Sequence, residues 1–246
     1  MAAKTRLDVI LVERGLAESR AAAQRLIMAG LVFSGDRRLD KAGHSVAADT
    51  ALEVRGQPHP YVSRGGLKLA KALDHFAIPV AGRVALDVGA STGGFVDCLL
   101  QRGAAKVYAV DVGTSQLAWK LRSDPRVVPM EKTNIRGVTR EQIPEPIDLV
   151  VCDVAFIGLR SALPAALALA KSGAHVVALI KPQFEVGRGR VGKGGIVREP
   201  ALHAEACETI SQWMAAQPGW RVLGVIESPI TGADGNREFL ISAERT

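Results

Sequence analysis

Val84-Ala85-Leu86-Asp87-Val88-Gly89-Ala90-Ser91-Thr92-Gly93-Gly94-Phe95 is the stretch whose reading decides the fold of this chain. An apolar run carries an acidic residue near its end, breaks into a glycine-rich turn and re-enters a helical pattern. A strand that feeds such a turn and then a helix is the opening unit of a doubly wound α/β sheet, and its glycines let the backbone approach a bound nucleotide. Working outward, further apolar strands fall at Lys106–Val110, Arg126–Met130, Ile147–Cys152, His175–Ile180, Arg221–Ile226 and Arg237–Ser242. Helical patterns lie near residues 67–77, 93–102, 160–171 and 200–216. The alternation predicts a mostly parallel, seven-stranded sheet with its chemistry at the carboxyl ends of the strands.

The front of the chain reads differently. Leu7, Ile10 and Leu11 mark one short helix, and Ala22, Ala23, Leu26 and Ile27 mark a second, separated by Gly15 and capped by Ser19. Leu31-Val32-Phe33 and Ala51–Val54 read as short strands around a Ser34-Gly35-Asp36 turn. Residues 1–56 are therefore expected to form a small α+β unit. Residues 57–66, with prolines at 58 and 60 and glycines at 65 and 66, are expected to be a linker, and residues 67–246 the α/β domain.

Charge separates the same regions. Residues 1–71 carry 12 Lys/Arg against 7 Asp/Glu, while residues 72–246 carry 19 against 18, so most of the +6 net charge sits in front. Neutralising the phosphates of a nucleic acid is one use for such a front end, and a merely basic soluble surface is the other. Cys98, Cys152 and Cys207 lack Cys-x-x-Cys spacing and the five histidines are scattered, which points to neither a disulfide framework nor a metal site. No apolar run approaches the ~20 residues that span a bilayer, so a cytoplasmic protein without a membrane partner is expected.

The glycine turn departs from a dinucleotide fingerprint, because Ser91 stands where the second glycine of Gly-x-Gly-x-x-Gly belongs. It resembles instead the S-adenosyl-L-methionine loop of class I Rossmann-like methyltransferases. On that resemblance the cofactor contacts are Asp87, Gly89, Ala90, Ser91, Thr92, Gly93, Gly94 and Phe95, with Asp153 also at the cofactor. Asp111, ending the next strand, is placed for the ribose hydroxyls. Gly187-Arg188-Gly189-Arg190-Val191-Gly192-Lys193-Gly194 imitates a phosphate-binding loop but has Gly194 where Ser or Thr must hold magnesium. With Arg188, Arg190 and Lys193 it reads better as a contact for an RNA backbone.

Four charged residues occupy strand ends or neighbouring elements: Lys68, Asp153, Lys181 and Glu238. In this order they resemble the Lys-Asp-Lys-Glu tetrad of the FtsJ-like ribose 2′-O-methyltransferases. Tyr61–Lys68, Asp87–Phe95, Lys181–Glu185 and Gly235–Phe239 are similar to the hemolysin A (TlyA) family of rRNA cytidine 2′-O-methyltransferases within that group. Leu11, Arg14, Ser19, Arg20, Ala23, Ile27, Gly30 and Val32 resemble the RNA-binding module of small-subunit ribosomal protein four. The resemblance implies methyl transfer from S-adenosylmethionine to a cytidine 2′-hydroxyl in ribosomal RNA or a ribosomal subunit, with large-subunit RNA favoured from the short termini. Lys181 is the candidate base, since neighbouring cations favour its uncharged form, with Asp153 orienting it and Lys68 and Glu238 holding the hydroxyl. Arg6, Arg14, Ser19, Arg20, Arg25 and Arg64 join the basic loop as expected RNA contacts. A membrane-active toxin, or an RNA chaperone with an inactive methyltransferase domain, are the alternatives.

Overall fold

The computed structural model describes residues 4–17, 19–55, 59–232 and 234–246, with the side chain of Arg188 outside the described set. Residues 56–58 also lie outside it, the last two of them in the expected linker. The chain divides into two compact units, Met1–Pro60 and Tyr61–Thr246.

The first unit runs β1 (Lys4–Arg6), α1 (Leu7–Glu13), α2 (Arg20–Met28), β2 (Val32–Ser34), β3 (Arg37–Arg38), β4 (Ser45–Ala47) and β5 (Glu53–Val54). Leu7, Ile10 and Leu11 of α1 meet Ala23, Leu26 and Ile27 of α2 in a shared core, the faces their spacing predicts. The Ser19 hydroxyl accepts from the Ala22 amide at 3.2 Å and fixes the start of α2. Where the sequence suggested one small sheet there are two. β3-β2-β5 form one, and β1 pairs antiparallel with β4 to form the other. Strands of two or three residues carry too little periodicity to be read from sequence.

The second unit runs α3 (Gly65–His75), β6 (Val84–Val88), α4 (Gly94–Gln101), β7 (Lys106–Val110), α5 (Trp119–Arg122), β8 (Val127–Met130), β9 (Ile147–Cys152), α6 (Leu159–Leu169), β10 (Ala170–Ile180), α7 (Pro182–Glu185), α8 (Pro200–Ala215), β11 (Trp220–Glu227) and β12 (Phe239–Arg245). The seven strands are ordered β11-β12-β10-β9-β6-β7-β8. All neighbours are parallel except β12, which is antiparallel to both β10 and β11. Successive residues of the central strands feed two cores on opposite faces: Leu86 and Val88 one way, Ala85 the other. Strand order reverses beside β6, and the carboxyl ends of β6, β7, β9 and β10 open toward one edge, where a doubly wound sheet holds its ligand.

Several boundaries differ from the sequence reading, among them the start of β10 at Ala170, where a helix was expected to run to residue 171. Residues 61–66 pack inside the second unit: the Val62 amide donates to Asp97 Oδ2 at 2.8 Å, and a β-carbon on Gly66 would stand 2.2 Å from the Tyr61 ring. Gly65 and Gly66 serve close packing there, which composition alone cannot separate from a linker. The last strand begins at Phe239, so Glu238 sits just ahead of it, its carbonyl accepting from the Ser228 amide at 2.9 Å.

Candidate active site at the strand ends

At the end of β6 the chain turns sharply. Gly89 has φ of 86° and Gly93 of 98°, and a β-carbon on Gly89 would lie 2.6 Å from the Asp153 carbonyl oxygen. Only glycine allows β6 and β9 to approach so closely at this point. Ser91, in the slot that excluded a dinucleotide reading, has φ of 46° and donates its amide to Asp111 Oδ2 at 2.8 Å. The other Asp111 oxygen accepts from the Gly113 amide at 2.7 Å. Asp111 thus ties the glycine turn to the loop after β7, with lone pairs left for a ligand hydroxyl. Ala90 and Phe95 are buried beside the turn, and Thr92 is exposed.

Asp87 is fully buried, and no side chain donates to either carboxylate oxygen. Burial, reinforced by the charges of Asp153 and Asp111, pushes its pKa well above the ordinary carboxylate range. The Val96 amide pulls the other way and is outweighed. A carboxyl without a side-chain partner under a glycine turn, with two more carboxylates near it, is an environment suited to a cation. S-adenosylmethionine carries two, its sulfonium and its α-amino group, and so fits the residues present.

The four charged residues singled out in the sequence meet. Lys68 Nζ lies 2.6 Å from Glu238 Oε2 and 3.7 Å from Asp153 Oδ2, and Lys181 Nζ lies 2.6 Å from Asp153 Oδ1. Asp153 therefore bridges two ammonium groups, and the set forms a line from Glu238 through Lys68 and Asp153 to Lys181. All four side chains are at most 20% exposed, which strengthens every charge interaction among them. The end of the line at Lys181 lies beyond β10 and next to Pro182, the first residue of α7. Such a chain can hold a hydroxyl and relay its proton at a fixed position.

Beside the line stands Phe156, three residues past Asp153, 92% exposed and held at φ of 68°. A bulky residue in the left-handed region is rare away from functional loops. Its ring centroid is 5.7 Å from that of Phe184, in the turn after Lys181. The sequence reading passed over Phe156, although an aromatic so near a charged strand end was the available signal. It also passed over Glu131, which accepts from the Ser115 amide at 3.0 Å, pairs with Arg122 at 2.9 Å and shares a small cleft with Ser91 and Asp111. Cys152 is excluded as a nucleophile: burial, with Asp153 and Asp87 nearby, pushes its thiol far up.

The expected RNA contacts are less uniform. Arg6 and Arg20 both point their guanidinium groups at Asp8, at 3.0 and 3.1 Å. Arg14 donates to the carbonyls of Thr50 and Ala48, Ser19 caps α2, and Arg190 pairs with Glu205 of α8. Arg25, Arg64 and Lys193 are exposed. The basic loop opens no helix at Gly194, which lies in a single 3₁₀ turn with φ of 77°, as the rejection of a phosphate-binding loop requires. Among the described residues no group of three or more His, Cys, Asp or Glu could hold a metal, and no helix is long and apolar enough to cross a membrane.

Comparison with known proteins agrees with this geometry. Residues 61–245 match the FtsJ-like methyltransferase model and residues 5–50 the S4 domain model. The chain is 50% identical to the 16S/23S rRNA (cytidine-2′-O)-methyltransferase TlyA of Mycobacterium tuberculosis, over 98% of this chain and 90% of that protein. It is 42% identical to Hemolysin A of Brachyspira hyodysenteriae, over 96% and 98% respectively. A solved structure from Streptococcus thermophilus, designated a hemolysin, is 46% identical and superposes with a TM-score of 0.77 over all of this chain and 90% of the other. With a glycine turn, a Lys-Asp-Lys-Glu line and these relatives on one sheet edge, the chain belongs to the FtsJ-like methyltransferase family, in its TlyA and hemolysin A branch with an S4 domain in front.

Proposed function

We propose that this chain methylates the ribose 2′-hydroxyl of a cytidine in ribosomal RNA, using S-adenosylmethionine, with large-subunit RNA the first substrate to test. The observation that carries the reading is the line Glu238–Lys68–Asp153–Lys181 at the carboxyl ends of β9 and β10. Bound S-adenosylmethionine supplies a methyl group on a cationic sulfur, an electrophile that needs no further activation. Asp87, the turn from Gly89 to Phe95, Asp111 and Asp153 would hold it, the carboxyls facing its cationic groups and Asp111 its ribose hydroxyls.

A ribose hydroxyl is a poor nucleophile near neutral pH, so its proton must be taken as it attacks. Lys181 Nζ, after giving up one proton to solvent so that it enters the step as the free amine, is the acceptor of that proton. Asp153, already within hydrogen-bond reach of Lys181, stabilises the ammonium that results and fixes its direction. Lys68, held by Glu238, orients the attacking oxygen. Phe156 offers an exposed aromatic face on which the base of an extruded nucleotide can stack, offsetting part of the few kcal/mol that unstacking costs. Arg25, Arg64 and Lys193, with Arg6, Arg14, Arg20, Arg188 and Arg190, supply charge for RNA phosphates.

The test is transfer of tritiated methyl to isolated rRNA and to ribosomal subunits, followed by mapping of the modified nucleotide. Incorporation on a ribose of cytidine is expected, and Lys181→Ala should lower the rate about 10²- to 10⁴-fold while cofactor and RNA still bind. A toxin or an inactive chaperone predicts no incorporation by the unaltered protein. Near-normal transfer by the variant would show that Lys181 is not the base.

A further inference from the structure

The glycine-rich basic loop has a function left open by its failure as a phosphate-binding loop, and two buried polar side chains outside the charged line act on it. Asn236, 2% exposed, donates from Nδ2 to the Gly195 carbonyl at 3.0 Å and accepts at Oδ1 from the Val197 amide at 2.9 Å. His203 of α8, 5% exposed, contacts the Val197 carbonyl through Nε2 at 2.8 Å. That carbonyl can only accept, so Nε2 carries the hydrogen; Nδ1 is buried without a partner. Both backbone groups of Val197 are thus taken by side chains, one from α8 and one from the turn ahead of β12. The His203 ring packs against Phe239, at 5.7 Å between centroids, which ties the same anchor to the start of β12.

Ahead of Gly195 the loop is held by Val191, packed against the core, and by the Gly192 amide donating to the Ile196 carbonyl at 3.1 Å, with no buried polar side chain among the described residues gripping it there. Gly194 and Gly195 both have φ of 77°, and a β-carbon on either would meet nothing within 4 Å. The Arg190 guanidinium is paired with Glu205 at an exposed position, an interaction of small net worth. Lys193 is exposed. Asn236 stands two residues before Glu238, which grips Lys68, and its own carbonyl accepts from the Gly232 amide at 2.9 Å. A β-carbon on Gly232 would lie 2.6 Å from Glu238 Oε1, so this turn and the carboxylate are packed against each other. One short segment therefore holds the foot of the basic loop and one end of the charged line.

We propose that Asn236 is a positioning residue, assisted by His203, that latches the foot of the basic loop at Gly195 and Val197 so that Arg190 and Lys193 meet the RNA backbone in register with the Lys68–Glu238 pair. The proposal rests on the reading of this loop as an RNA contact. A full amide is needed at position 236, because one end must donate and the other accept; Asp supplies only the acceptor.

Limited trypsin digestion of the full chain reads the latch without any substrate, since the loop contains its own cleavage sites after Arg190 and Lys193. Asn236→Ala should raise cleavage there about tenfold, and Asn236→Asp by less, as one of two neutral hydrogen bonds is kept. The affinity for rRNA, measured by direct binding, should fall about tenfold in Asn236→Ala while S-adenosylmethionine affinity and the main thermal transition stay unchanged. His203→Gln, which keeps an N–H for Val197, should cleave more slowly than His203→Ala. Unchanged cleavage in both Asn236 variants overturns the latch. Faster cleavage with unchanged rRNA affinity overturns the link to RNA. Should Asn236→Ala fail to fold, the isosteric Asn236→Asp carries both measurements. If the unaltered protein transfers no methyl group, the reaction proposed above falls, while cleavage and binding still decide the latch.

Discussion

Among the described residues each unit buries one carboxylate completely, and the two are treated in opposite ways. Asp8, in the S4 unit, receives Arg6, Gln24 and Arg20, and these hydrogen bonds, Arg6 first, hold its pKa far below the usual range. No solvent reaches it, although the two arginines that hold it are themselves half exposed. Asp87, in the methyltransferase unit, lies deep under the glycine turn with no side-chain partner, and burial drives its pKa up against the pull of the Val96 amide. A carboxylate satisfied by its own chain is a structural part. One left unsatisfied costs stability and persists where a ligand supplies the missing charge. Asp153 stands between these cases, paired with two lysines yet set at a strand end beside the site.

The comparison is broken most severely at Asp153. Asp153→Ala leaves the Lys181 and Lys68 ammonium groups without the carboxylate that joins them, and methyl transfer should fall about 10²- to 10⁴-fold. The rate at saturating cofactor and RNA is the measurement. A loss confined to RNA affinity would mean that the line positions phosphate and does not handle a proton.

Asp87 gives the next largest effect. Asp87→Asn should weaken S-adenosylmethionine binding about 10- to 100-fold through loss of a charge-assisted contact, read by calorimetry. Its stability should move the other way. Because the folded pKa of Asp87 is raised, its full contribution is present below the ordinary carboxylate value of 3.8 and is lost as pH rises through the raised value. The melting temperature of the unliganded protein should therefore fall with rising pH relative to Asp87→Asn, and the two should converge in acid. Parallel curves would mean that Asp87 is already satisfied.

What could be read from the sequence follows the same division. The glycine turn, Asp111, Asp153 and Lys181 were legible because strand periodicity fixes where parallel strands end. Lys68 on α3 and Glu238 ahead of the antiparallel β12 were instead singled out by the resemblance to the FtsJ-like tetrad. The Ser19 cap was legible because a cap is local. Arg6 and Arg20 were read as RNA contacts on charge, but their guanidinium groups converge on Asp8, a pairing over 12 residues for Arg20 that no periodicity announces. Residues 61–66 read as linker because Gly65 and Gly66 look like punctuation; their use is the close approach of Tyr61, Ser63 and α4, visible only once packed. Phe156 escaped notice because an exposed, strained aromatic belongs to no repeat.

The smallest effect sharpens the comparison from the other side. Asp8→Asn keeps the shape and one acceptor but removes the charge on which Arg6 and Arg20 converge. Since both guanidinium groups are half exposed and screened by solvent, the loss should be about 1 kcal/mol in local opening of α1 and α2, read by amide hydrogen exchange. Here the sign in pH is reversed. The folded pKa of Asp8 is depressed, so its stabilisation is present above 3.8 and fades as pH falls below that value toward the depressed one. The difference between Asp8→Asn and the unaltered chain should thus be constant from neutral pH to about 4 and shrink below it, while that for Asp87→Asn grows on the alkaline side. If exchange in α1 and α2 were unaffected at pH 7, the arginines would be free to leave Asp8 at no cost. Asp8 would then be a resting place for RNA-binding groups and not a structural part.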